Sequence, residues 1–502
     1  MKICLHRLLA CTLACVLCLG ALPAASAAKS PFTDVPSGHW AADSISQAVE
    51  LGFFQGESPS RFGLGHKMTR AAFTAVLCRF FDWEMVQPSE STFQDAKDPS
   101  RWYWSAVETA YANGALTRQT KFFRPSDPIT REEMAVMLVR ALGCGSIAGL
   151  AQNLKVPFQD LHSNAGYVAM AYELGIMNGT SKTTFSPDRT ATREQAAVTL
   201  VRLYERTHGT QLQRMGILNV PGSLEGFSLL AIPAGRLTFN GAVQLATPMN
   251  EQQAAALRDS AHASGAKALL HVSGDEMALK GAAHDTANLL SQAVSNGGYD
   301  GLFLDLIHLK YPQRKAFTEL IQTLDHQLGQ QLLYVSAEVP VLSGPVYDGY
   351  SFSSISAAAD GLVLRVPSRA PEKDEFPIAP LEPLEDVYCA LAQLRDLVPM
   401  EKVCLMLTST GSAWINGKQD GTRSAQEITQ LLSQSSTKSY YSDRYACAYL
   451  SAREKDSALA VWYLDGEAVA QRLQMAQCFQ IGAVCLSDAS SLSPEVQEVL
   501  FR

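Results

Sequence analysis

Three arginines set the chemistry available to the first half of the chain. Arg70, Arg131 and Arg193 stand in Thr69-Arg70-Ala71-Ala72, Thr130-Arg131-Glu132-Glu133 and Thr192-Arg193-Glu194-Gln195, at spacings of 61 and 62 residues. A planar guanidinium grips a carboxylate through two parallel hydrogen bonds. In the first turn of a helix it joins free N–H groups that already favour anions. The set therefore suits an anionic ligand; the plainer alternative is that each arginine pairs with a neighbouring glutamate. In the second half, Asp305 and Glu338 lie toward the ends of successive apolar runs. Two carboxylates about 5–5.5 Å apart suit a retaining glycoside hydrolysis, and a wider pair suits an inverting one. The alternative is a structural hydrogen-bonding Asp305 and a solvated Glu338. His271 and His308 fall near strand ends, but no His/Glu spacing argues for a metal, so neither metal nor cofactor is expected.

The arginines must be carried by repeated elements. Phe32-Thr33-Asp34, Phe93-Gln94-Asp95 and Phe158-Gln159-Asp160 precede them. Between the landmarks, apolar stripes predict helices over Ala41–Leu51, Tyr103–Asn113 and Ala165–Leu174. Each is followed by a glycine (Gly52, Gly114, Gly175) suited to a left-handed C-terminal cap. Phe62, Phe123 and Phe185 come next, and Thr69, Thr130 and Thr192 read as N-caps of a second helix. The copies differ. Ala72 stands where the second repeat has Glu133 and the third Gln195, and the third repeat has no tryptophan matching Trp40 or Trp102.

This pattern resembles the surface-layer homology domain, in three copies over residues 31–208. The resemblance rests on Phe-x-Asp, His39-Trp40, Phe185-Ser186-Pro187-Asp188 and the Thr-Arg signatures. It implies a pseudo-threefold helical bundle that tethers exported proteins to secondary cell-wall polysaccharide, often bearing an anionic pyruvyl ketal. It also implies that Arg70, Arg131 and Arg193 read that anion. Trp40 and Trp102 are either sugar-stacking faces or core aromatics.

Whole-chain properties agree with this. The 502 residues are 47% apolar and 18% charged, which excludes a disordered or collagenous chain. The net charge of -8 argues against general nucleic-acid binding. Lys2 and Arg7, the apolar run 8–22 and Ala25-Ser26-Ala27 read as a secretory signal peptide over residues 1–28. No later segment predicts a membrane span. Seven of the 11 cysteines lie beyond that segment; the number is odd and they lack CxxC spacing, so they read as buried free thiols.

From about Met215, strand-length apolar runs alternate with helical stretches. Leu229–Ile232, a weaker run within Leu237–Leu245, Ala268–Val272, Gly301–Leu306, Gln331–Ala337, Gly361–Arg365, Val403–Leu407 and Ala483–Leu486 predict a (β/α)8 barrel. Ala446–Ser451 and Leu459–Tyr463 predict a hairpin inserted late. Tyr299 to Ile307 resembles the D-G-x-D-x-D-x-E strand of family-eighteen glycoside hydrolases, the chitinases and spore-cortex hydrolases. That resemblance implies a terminal glutamate acid, an inner aspartate, a Tyr-Asp pair and a floor tryptophan. This chain has Ile307, Phe303 and Pro367-Ser368 at the first three places, and none of Ala483 to Leu486 is tryptophan. Trp414, Trp462, Tyr440 and Tyr441 are either groove or core aromatics.

The expected order is a signal peptide (1–28), repeats at 31–87, 91–145 and 156–208, a linker (209–222) and a barrel (223–502). The expected role is non-covalent attachment to wall polysaccharide at a bacterial surface, with the barrel as a carbohydrate-binding or structural module that engages a further glycan. A glycosidase using Asp305 and Glu338 and a surface-array subunit are the alternatives.

Overall fold

The computed structural model describes residues 32–149, 156–209, 211–221, 224–339, 346–367, 380–454 and 457–501. The expected signal peptide and Ser368 lie outside the described residues. The chain forms two compact units, one taking it to Met134 together with Asp188–Val201, the other Ala135–Pro187 with Arg202 onward.

The repeats are helical, as read. The helices are α1 (Ala42–Glu50), α2 (Arg70–Phe80), α3 (Trp104–Ala112), α4 (Arg131–Ala141), α5 (Ala165–Glu173) and α6 (Arg193–His208). Gly52, Gly114 and Gly175 follow α1, α3 and α5 with φ of 77°, 73° and 69°, the left-handed geometry glycine adopts without strain. The Phe-x-Asp motif is a turn-holding device made three times. Asp34 accepts the N–H groups of Phe62, Gly63 and Leu64; Asp95 accepts those of Phe123 and Arg124; Asp160 accepts those of Phe185 and Ser186. The motif phenylalanine meets the phenylalanine of that turn at 5.6, 5.7 and 5.5 Å. Burial opposes ionisation of Asp34, but its backbone hydrogen bonds prevail and hold its pKa down at about 2.

In the first unit the three threonine loops meet. Bridges Lys67 to Thr192, Thr69 to Pro128 and Thr130 to Thr190 join each loop to the other two. Thr69 and Thr130 cap their helices as expected, accepting the N–H groups of Ala72 and Glu133. Thr192 departs from the pattern: its hydroxyl is buried without a hydrogen-bond partner, and its N–H donates to Gln195 Oε1 at 3.2 Å.

The second unit contains the barrel. Its parallel strands are β1 (Gln213–Ile217), β2 (Leu229–Phe239), β4 (Lys267–Gly274), β5 (Gly301–Leu306), β6 (Leu332–Glu338), β7 (Gly361–Arg365), β8 (Val403–Leu407) and β14 (Ala483–Leu486), which closes on β1. Helices α7 (Glu251–Ala263), α8 (Ala283–Gly297), α9 (Arg314–Leu328), α10 (Phe352–Ala358), α11 (Leu384–Leu394), α13 (Gly466–Cys478) and α14 (Pro494–Phe501) accompany them. The interior is filled by Met215, Leu229, Leu269, Phe303, Tyr334, Val363, Cys404 and Cys485, among others. Six of the seven described cysteines are buried.

Three boundaries differ from the sequence reading. Gln213–Ile217, inside the expected linker, is the first barrel strand. It was hidden because only its last three residues are buried and Gly216 interrupts its apolar pattern. That glycine is required: a Cβ there would lie 2.6 Å from the Ala489 Cβ. The run within Leu237–Leu245 is not a barrel strand. It is the extension of β2 pairing antiparallel with β3 (Val243–Ala246). The inserted hairpin is larger than read: β9 (Gly411–Ile415), β10 (Lys418–Arg423), β11 (Lys438–Ser442), β12 (Cys447–Glu454) and β13 (Ser457–Tyr463) make a five-stranded antiparallel sheet, with α12 (Ala425–Leu432) between β10 and β11.

Candidate functional site

The arginines sit between repeats. Arg70 reaches from the first repeat to the second. Its Nε donates to the Phe123 carbonyl at 2.8 Å, its guanidinium stacks 5.1 Å from that ring, and its Nη1 meets Glu133 Oε1 at 2.7 Å. Arg193 reaches from the third repeat to the first. Its Nε donates to the Phe62 carbonyl at 2.9 Å, its Nη2 to the Gln55 carbonyl at 2.8 Å, and it stacks 5.0 Å from the Phe62 ring. These side chains are only 11% and 15% exposed, so each arginine joins repeats while leaving one edge open. Burial lowers both pKa values from the usual arginine range, and Glu133 and Glu57 respectively oppose the shift. Arg131 is likewise buried at the start of α4, its N–H donating to the Arg189 carbonyl. Trp40 and Trp102 are 63% and 66% exposed, so they are not core aromatics. The tryptophan that packs inside the second repeat is Trp104, whose Nε1 donates to Ser91.

The mouth of the barrel is polar but self-satisfied. Leu269, Phe303 and Val363 point inward, so His271, Asp305 and Arg365, two residues further along the same strands, face the same axis. Glu338 follows Tyr334 by two such steps. Arg365 grips Asp305 bidentately, Nε to Oδ1 at 2.9 Å and Nη2 to Oδ2 at 2.5 Å, and His271 Nε2 lies 3.2 Å from Oδ2. Burial alone would raise the Asp305 pKa. The His271 hydrogen bond and the Arg365 charge reverse this and hold it well below the usual carboxylate range. Glu338 is 4% exposed and accepts two donors on Oε2, the His308 N–H at 2.5 Å and the Tyr350 hydroxyl at 2.9 Å, while His308 Nδ1 lies 3.2 Å from Oε1. His308 holds a left-handed backbone (φ 63°), and its ring packs tilted against Tyr347 with centroids 4.6 Å apart.

Asp305 and Glu338 thus both reach the mouth, each already occupied. Glu338 is buried, which corrects its reading as a solvated strand-end residue. Phe303 is fully buried and stacks on His271 at 4.8 Å, so apolar packing fills the place of the inner aspartate. Arg365 was legible only as a charge ending an apolar strand, and Tyr350 gave no signal. A second buried group was also missed. Glu382 accepts from the Thr408 hydroxyl and N–H beyond the end of β8, and the fully buried Arg472 donates to the Glu382 carbonyl. Burial raises the Glu382 pKa against those contacts. Trp414 and Trp462 are core residues, in one cluster with Leu381 and Cys447. Tyr440 and Tyr441, with Tyr463, line a separate cavity of about 590 Å³ beside β8 and β14.

The S-layer homology domain family matches residues 31–74, 93–135 and 157–197. The chain is 31% identical over 183 residues to the exoglucanase XynX of Acetivibrio thermocellus, a match covering 35% of this chain and 16% of that one. It is 25% identical over 210 residues to an S-layer protein of Bacillus thuringiensis subsp. finitimus, covering 42% and 25%. The chain therefore spans a quarter or less of the length of these relatives. Its fold is similar to that of the spore cortex-lytic enzyme SleL of Bacillus megaterium, with a TM-score of 0.50 and 13% identity over 66% of this chain and 80% of that one. The amino-terminal repeats are three S-layer homology domains, and a (β/α)8 barrel follows them.

Proposed function

We propose that this is a cell-surface protein held non-covalently on secondary cell-wall polysaccharide by its S-layer homology domains, with a barrel that binds glycan or serves as a structural module. The domains support a cell-wall-associated location and polysaccharide as partner. The finer reading is that Arg70, Arg131 and Arg193 take an anionic, pyruvylated sugar and that Trp40 and Trp102 stack on pyranose faces. The observation that carries it is the pair of indoles standing open at equivalent places in the two repeats whose turns receive a neighbouring repeat's arginine.

For the barrel, the carrying observation is the closed Asp305–Arg365 pair. A glycosidase acid must hold a proton near the working pH, and a carboxylate held low by a bidentate arginine does not. The test is sedimentation of the full chain with isolated walls, before and after the pyruvyl ketals are removed. Binding that persists unchanged on depyruvylated walls sinks the anion reading.

A further inference from the structure

The interfaces that the arginines make are not equivalent. Arg70 and Arg193 each reach to a neighbouring repeat, and the fourth residue of the Thr-Arg motif on that receiving repeat differs. For Arg70 it is Glu133. One Glu133 oxygen accepts the Thr130 N–H at 2.9 Å as a helix cap, and the other meets Arg70 Nη1 at 2.7 Å and also the exposed Arg124. For Arg193 the corresponding residue is Ala72. The Glu57 carboxylate lies 4.0 Å from Arg193 Nε, and the oxygen at that distance is 2.9 Å from His66 Nδ1. Two other carboxylates act on Arg193 from further off. Asp34 is held by its three backbone N–H groups and Glu194 by the Gly65 N–H. The first repeat, which receives Arg193, also carries the exposed Trp40. The third repeat has Ser163 at that place, and its Gln195 brings no charge.

We infer that the groove of Arg193 against the first repeat takes the carboxylate-bearing pyranose, and that Glu133 fills the Arg70 groove as a built-in substitute for that carboxylate. This rests on the anchoring reading above. Ala72 is then the residue that opens one groove, and Glu133 the residue that closes another. Both occupy the third helical position after a threonine cap, so exchanging their chemistry leaves the cap intact.

The test is calorimetric titration of the full chain with purified pyruvylated wall polysaccharide, and with the same polymer after mild acid has removed the ketals. Ala72→Glu should weaken binding about 10- to 100-fold, the worth of one charged hydrogen-bonded contact. Ala72→Gln should leave it unchanged. Glu133→Gln should tighten binding or add a second class of site. Arg193→Lys should weaken binding more than Arg70→Lys does, because Arg70 is already paired with Glu133. Wild-type affinity in Ala72→Glu, or equal losses in the two lysine variants, would overturn the assignment of grooves and leave anchoring itself standing. If the wild-type chain ignores the intact polymer, the anchoring reading falls and takes this inference with it.

Discussion

Arg365→Met removes one partner of the Asp305 pair while keeping most of the side-chain volume. Asp305 is 6% exposed and would be left with His271 alone, 3.2 Å away. Breaking a buried ion pair from one side costs about 3–5 kcal/mol. Arg365 is 28% exposed and His271 remains, which places the loss near the lower end, about 3 kcal/mol. For a barrel of this size that is a fall of roughly 5 °C in Tm. Thermal and urea unfolding at pH 7, followed by circular dichroism, read it directly. The pH dependence adds an independent signature. The folded pKa of Asp305 is depressed, so its stabilising contribution is present above the unfolded carboxylate range near 4 and is lost as pH falls through the folded value. That acid-side loss should flatten in Arg365→Met. Replacing both partners, Asp305→Leu with Arg365→Met, removes the uncompensated charge and should recover to within about 1 kcal/mol of wild type. A single variant that unfolds at the wild-type temperature, or a double variant no better than the single, would refute the account of the mouth as a self-satisfied ion pair.

Wild-type protein should release no product from chitin oligomers or peptidoglycan glycan strands, and Phe303→Asp with Ile307→Glu should stay nearly inactive; turnover abolished by Asp305→Asn or Glu338→Gln would promote the glycosidase reading. Trp40→Ala and Trp102→Ala should leave the unfolding temperature unchanged, because both indoles are about two-thirds exposed, yet lower retention on walls in a pelleting assay. Glu382 should act in the opposite sense to Asp305. Its folded pKa is raised, so its contribution is full below about 4.3 and lost as pH rises through the folded value. Glu382→Gln should therefore narrow the gap between urea midpoints at pH 5 and pH 8, and an unchanged gap would contradict the burial argument.

The repeats were legible because their signals are local and made three times. A glycine after a helix, an aspartate before a turn and a threonine before an arginine each describe a contact within one repeat. What those signals do not carry is the destination of the arginines. The partners of Arg193 on the first repeat lie 131 and 138 residues away, at Phe62 and Gln55. The barrel strands were read where they are buried on both faces, as in Gly301–Leu306, whose six residues are all buried. Gln213–Ile217 escaped because its outer end is exposed. At the mouth, the sequence marked Asp305 and Glu338 but not the groups that neutralise them. Arg365 lies 60 residues from Asp305, and Tyr350 lies 12 from Glu338, outside any strand or helix.

The reach of Arg193 back to the first repeat also fixes an order in time. A chain made from its amino terminus presents Phe62 and Gly65 long before Arg193 and Glu194, whose bonds to them close spans of 131 and 129 residues. The entropic difference from the 53-residue closure by Arg70 is small, about 0.8 kcal/mol. The delay is therefore set by arrival of the last repeat rather than by a thermodynamic penalty. Until Arg193 emerges, the first repeat lacks the guanidinium that completes its groove. A nascent or truncated chain ending before the third threonine loop cannot make this junction, so under the groove assignment proposed above the first repeat would take its sugar only when the last repeat has been delivered.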